Sequence, residues 1–69
     1  MNSPIENDLQ ALLPEKDAAR FLSVSQRTLQ AWRVSVVGPP YIKMGSRAVR
    51  YRRRDLIAWI DANTIGRRP

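Results

Sequence analysis

The chain has 69 residues and a net charge of +6, from 12 Lys or Arg against 6 Asp or Glu, with neither cysteine nor histidine. At this length only about 60% of the unfolded surface is buried, which leaves room for one small core and no enclosed substrate cavity beside it. The two missing residue types exclude disulfide staples, thiolate nucleophiles, zinc sites of the usual ligands and the commonest general base.

Residues 1–12, MNSPIENDLQAL, place Ile5, Leu9 and Leu12 at loosely helical spacing but are otherwise polar and acidic. They read as a mobile N-terminal arm. Residues 1–19 set Glu6, Asp8, Glu15 and Asp17 against Lys16, a net of −3. Residues 20–69 set eleven cations against Asp55 and Asp61, a net of +9. The arm is thus ill suited to gripping DNA, while the basic remainder points to a polyanion. Ten of the twelve cations are arginine, whose planar fork matches phosphate oxygens and guanine edges.

A short helix is expected from about residue 14 to 22. Pro14 suits a first helical turn, Glu15 and Asp17 sit at the positive end of the dipole, and Ala18, Phe21 and Leu22 form an apolar stripe with Ala19 beside it. Ser25 is a good N-cap for a second helix from about 26 to 34. At 100° per residue Leu29 and Trp32 face one way, with Thr28 on their flank. Gln26, Arg27 and Gln30 face the other way, and Arg33 lies near the boundary. Two short helices joined by a three-residue turn make a helix-turn-helix pattern, with Ser23 where glycine is often used.

Gly38-Pro39-Pro40 ends the helical region. The runs YIKM and RAVRY around Gly45-Ser46 then predict a hairpin with a two-residue turn. In that register Ile42 faces Val49 and Lys43 faces Ala48, so Ile42, Met44, Val49 and Tyr51 share one face while Tyr41, Lys43, Ala48 and Arg50 share the other. Arg47 sits at the tip. In RDLIAWIDAN, Leu56, Trp59 and Ile60 predict a closing helix, begun near Asp55 and ended by Asn63 or Gly66. Residues 64–69 read as a short basic tail, leaving 13–63 as the domain. The fold class is α+β, mainly α: helix-turn-helix, two-stranded wing, closing helix.

The stretch from Leu13 to Ala62 resembles the winged helix-turn-helix proteins of the MerR superfamily, a match carried by the strings LLPEKDAARFLSVSQRTLQAW and GPPYIKMGSRAVRYRRRDLIAWI. Among these they are most similar to the small phage excisionases and AlpA-like prophage regulators. The resemblance implies a second helix in the DNA major groove and a wing on the adjacent backbone or minor groove. It puts Ser25, Gln26, Arg27 and Gln30 on the groove side, flanked by Thr28 and Arg33, and Lys43, Arg47 and Arg50 on the wing, with Ser46 at its turn. Three features depart from the pattern: Pro14 replaces a capping threonine or serine, Arg53 replaces a capping serine, and the link VSVVG is unusually apolar.

Arg52, Arg53 and Arg54 admit two readings, a phosphate clamp or a solubilising turn. Three cations at a helix N-terminus oppose its dipole, which favours phosphate contact. Trp32 and Trp59 lie on apolar stripes and read as core rather than as stacking platforms for single strands. The expected activity is sequence-specific binding of double-stranded DNA, as an excisionase or as a regulator of an integrase gene, without catalysis, cofactor or metal. An integrase or recombinase, or further copies of the chain, are the expected protein partners. An interaction module for an acidic protein, and an RNA binder, are the alternatives. No apolar run reaches the roughly 20 residues of a membrane span, so a cytoplasmic protein is expected.

Overall fold

The computed structural model describes residues 8–66. Along the chain these form β1 (Leu12–Pro14), α1 (Glu15–Leu22), α2 (Gln26–Val34), β2 (Ile42–Met44), β3 (Ala48–Arg52) and α3 (Arg53–Ala62). The three strands make one antiparallel sheet in the order β1-β3-β2. This is a winged helix-turn-helix: α1 and α2 are the paired helices, β2 and β3 the wing, and α3 closes the core.

Ala18, Ala19, Leu29, Tyr51 and Leu56 form that core, with Leu13, Leu22, Val24, Trp32 and Val49 packed around it. Alanines on α1 let Leu29 of α2 approach closely, and full burial of such a leucine contributes about 1.5–3 kcal/mol. Phe21 departs from the expected apolar stripe. It is 37% exposed, and the Arg53 guanidinium lies 5.6 Å from its ring centroid. Ala18 and Leu22 already fill the inward face of this eight-residue helix, so Phe21 is turned to the rim and covered by a cation.

Both helices of the pair end in the same way. After α1, the Ser23 N–H donates to the Arg20 carbonyl at 3.1 Å and the Val24 N–H to the Ala19 carbonyl at 3.0 Å. After α2, the Val36 N–H donates to the Arg33 carbonyl at 3.2 Å and the Val37 N–H to the Trp32 carbonyl at 2.9 Å. These are Schellman closures, which need a left-handed residue, usually glycine. Ser23 and Val36 take that role here, at φ 59° and 58°. The link that follows α2 stays largely in solvent, with Val36 and Val37 89% and 56% exposed.

Two further features differ from expectation. The first is β1, where an arm was expected as far as Leu12: Leu12, Leu13 and Pro14 pair with Arg52, Tyr51 and Arg50. Pro14 is tolerated because β1 is an edge strand, where a missing N–H need not break a ladder. The chain just before it also caps α3, since the Arg53 N–H donates to the Ala11 carbonyl and the Arg54 N–H to the Leu9 carbonyl, each at 2.9 Å. Any arm preceding the fold is therefore shorter at its C-terminal end than residues 1–12; residues 1–7 and 67–69, with half of the expected tail, lie outside the described residues.

The second is the register of the wing. Ile42 pairs with Arg50, Lys43 with Val49 and Met44 with Ala48, so the loop has three residues, Gly45 to Arg47, with Gly45 at φ 74°. One added loop residue slides the strands by one and exchanges faces on one of them. Ile42 and Met44 therefore share the outer face with Ala48 and Arg50, while Tyr41 and Lys43 share the inner face with Val49 and Tyr51. The 6.1 Å separation of the Tyr41 and Tyr51 ring centroids follows from this pairing.

Candidate nucleic-acid interface

Serine at the start of α2 does what its position predicts. The Thr28 N–H donates to Ser25 Oγ at 3.0 Å, and the hydroxyls of Ser25 and Thr28 lie 2.9 Å apart. Capping fixes the direction in which the helix leaves the turn. On the far side Leu29 is fully buried and the Trp32 ring lies 5.3 Å from that of Trp59, tilted by 44°. With that face anchored, Gln26, Arg27 and Gln30 are exposed together on the other. Arg27 has no hydrogen-bond or ion-pair partner among the described residues.

Gln30 and Arg33 are tied to α1. The Gln30 Nε2 group donates to Glu15 Oε2 at 2.6 Å, and Arg33 Nη1 lies 2.7 Å from Glu15 Oε1. The same Nη1 donates to the Tyr51 hydroxyl at 2.8 Å, and the guanidinium lies 5.7 Å from the Tyr41 ring centroid. Burial works against the charge on Arg33, but hydrogen bonds to Tyr51 and Glu15 outweigh it, and its pKa is raised above the ordinary arginine value. Arg33 thus joins α2 to α1 and to the central strand, with its guanidinium turned toward the sheet. Local sequence makes Glu15 only a dipole partner for α1. Its true partners stand 15 and 18 positions away, beyond the reach of any local spacing rule.

On the wing, Lys43, Ser46 and Arg47 are exposed, the last two within the loop. Arg50 is half-buried on the outer sheet face and donates to the Val49 carbonyl at 2.9 Å. The three consecutive arginines do not act as one cluster. Arg52 lies 3.5 Å from Asp55, Arg53 lies over Phe21, and Arg54 is exposed. The conflict with the α3 dipole is eased because two of the orphan amides there already donate to Ala11 and Leu9, and Asp55 stands in the first turn.

A family model described as a helix-turn-helix domain matches residues 12–64. The chain belongs to this helix-turn-helix family. The match begins at Leu12, the first residue of β1, so it takes in the strand as well as the paired helices and the wing. No curated protein matches the chain. A helix-turn-helix domain suggests DNA binding, and the donors on α2 and the wing suit a polyanion. Among the described residues no helix is long and apolar enough to cross a membrane, and no group of three or more His, Cys, Asp or Glu could hold a metal ion.

Proposed function

We propose that this protein binds double-stranded DNA in a sequence-specific manner, with α2 in the major groove and the wing on the adjacent backbone or minor groove. The observation that carries this reading is the exposed trio Gln26, Arg27 and Gln30 on a capped helix whose opposite face is anchored in the core. Arg27 and the glutamines supply base-edge donors, arginine for guanine O6 and N7 and glutamine for adenine N6 and N7. Lys43, Ser46, Arg47 and Arg54 supply phosphate contacts, with Arg50, Arg52 and Arg53 supporting them from the sheet and the start of α3. Ser25, Thr28 and Arg33 hold the reading helix in place.

Within this reading the chain acts as a small excisionase or as a regulator of an integrase gene, of the MerR-superfamily and AlpA-like kind. A recombinase or further copies of the chain are its partners on DNA, in the cytoplasm. Titration of a labelled random duplex, with heparin, single-stranded RNA and an acidic polypeptide as competitors, tests the class of ligand. Duplex DNA is expected to bind in preference to RNA. Equal competition by the acidic polypeptide and by duplex would instead favour the interaction-module reading.

A further inference from the structure

Glu15 uses both carboxylate oxygens on α2, one for Arg33 at 2.7 Å and one for Gln30 at 2.6 Å. The first bond holds the carboxylate still, because Arg33 is packed over the Tyr41 ring at 5.7 Å from its centroid, a hold that does not depend on its further bond to the Tyr51 hydroxyl at 2.8 Å. The second bond decides which way round the exposed Gln30 amide sits. A carboxylate accepts only, so it takes an amide N–H and repels the amide oxygen. Adenine is read by a glutamine that offers its oxygen to N6 and one N–H to N7. An amide nitrogen carries two hydrogens. The one beside the amide oxygen completes the adenine-reading edge, and the one on the opposite side is available to Glu15.

We propose that Glu15 is a specificity-determining positioning residue: it holds the Gln30 amide in the orientation that presents its oxygen and one N–H together to adenine. This rests on the reading of α2 as the major-groove helix. Glu15 itself touches no base, and its charge is matched by Arg33 rather than set against DNA phosphates. With the amide oriented before binding, adenine recognition requires no rotation of the side chain and the reversed amide is disfavoured.

The test selects preferred duplexes from randomised DNA for the wild type, Gln30→Ala, Glu15→Ala, Glu15→Gln, the Glu15→Ala/Gln30→Ala double variant and Tyr51→Phe. Gln30→Ala is expected to lose an adenine preference of about 5- to 100-fold at one position. Glu15→Ala should lose most of that preference at the same position and add nothing in the Gln30→Ala background. Glu15→Gln, whose amide can meet either end of Gln30, should lose part of it, and this variant retains the side-chain volume where Glu15→Ala does not fold. Tyr51→Phe loosens the far end of the same network and should lower stability while keeping the preference. If Gln30→Ala alters no base preference, the base-reading role of α2 fails and the inference falls with it. If Gln30→Ala alters one but Glu15→Ala and Glu15→Gln keep it, only the role of Glu15 fails. A Glu15→Ala effect at a different position, or an equal loss in Tyr51→Phe, also overturns it, as direct contact or as loss of packing.

Discussion

The Trp32 and Trp59 rings meet at 5.3 Å between centroids and join the proposed reading helix to the closing helix. Both rings are half-buried, and Trp32 packs against the core. Trp32→Ala should lower stability by about 3 kcal/mol, the low end for a large aromatic because the ring keeps some solvent contact. A small domain has only about 0.05–0.15 kcal/mol of stability per residue, so this loss removes a large share of the total. Thermal melting followed by circular dichroism reads the effect. A Trp32→Ala protein that melts normally yet loses nucleic acid would make Trp32 a stacking platform instead.

Val36 sits at φ 58° because the end of α2 needs a left-handed residue, and a β-branched side chain is poorly suited to that conformation. Val36→Asn or Val36→Gly should therefore raise stability, by about 0.5–1 kcal/mol. Gly38 should behave in the opposite way. It lies at φ 85°, and a Cβ there would come within 3.0 Å of Trp32 Cβ and Cε3. Gly38→Ala should cost more than about 1 kcal/mol. Denaturant midpoints for the three variants check both signs.

Tyr51→Phe removes the hydroxyl that accepts from Arg33 in the centre of the fold. The donor then lacks one partner beside a fully buried ring, which should destabilise the domain by about 1–3 kcal/mol. Urea unfolding measures it, and an unchanged midpoint would mean that water replaces the hydroxyl without penalty.

The two helices of the pair, the Ser25 cap and the closing helix were legible because each is specified by neighbours within four positions. Leu29 and Trp32 lie on one stripe, and Ser25 precedes Thr28 by the spacing a cap needs. The strand Leu12–Pro14 was not legible. Three residues carry no period, and their ladder partners stand about 40 positions later, at Arg50 to Arg52. The hairpin was visible but its register was not, because a turn of two residues and a turn of three both fit Gly45-Ser46-Arg47. What differs between them is which side of β2 lies beside Tyr51, Tyr41 with Lys43 or Ile42 with Met44, and no residue within the turn specifies that. Glu15 escaped for the same reason: Gln30 and Arg33 reach it only once α1 and α2 have packed. Phe21 looked like core because it follows Ala18 by three positions on the apolar stripe, but Ala18 and Leu22 already fill the inward face of the eight-residue α1.

The exposed cations of α2 and the wing imply a marked salt dependence. If about 4–6 phosphates are neutralised, log K should fall against log salt with a slope near −4 to −5. Anisotropy titrations between low and moderate salt give the slope. A value shallower than about −1.5 would mean that the wing and the arginines do not lie along a duplex.

The most direct measurement is the ratio of affinities for a selected duplex and a random one, at a single salt concentration, in the wild type, Arg27→Ala and Arg47→Ala. Arg27 is exposed on the reading face of α2, and Arg47 is exposed at the wing loop. Base contacts specify, whereas phosphate contacts position. Arg27→Ala should cost about 1–3 kcal/mol on the selected duplex and much less on the random one, so the ratio narrows. Arg47→Ala should weaken both by similar factors and leave the ratio near its wild-type value. If Arg27→Ala weakens both duplexes equally, α2 only grips the backbone, and its proposed role in reading sequence is wrong.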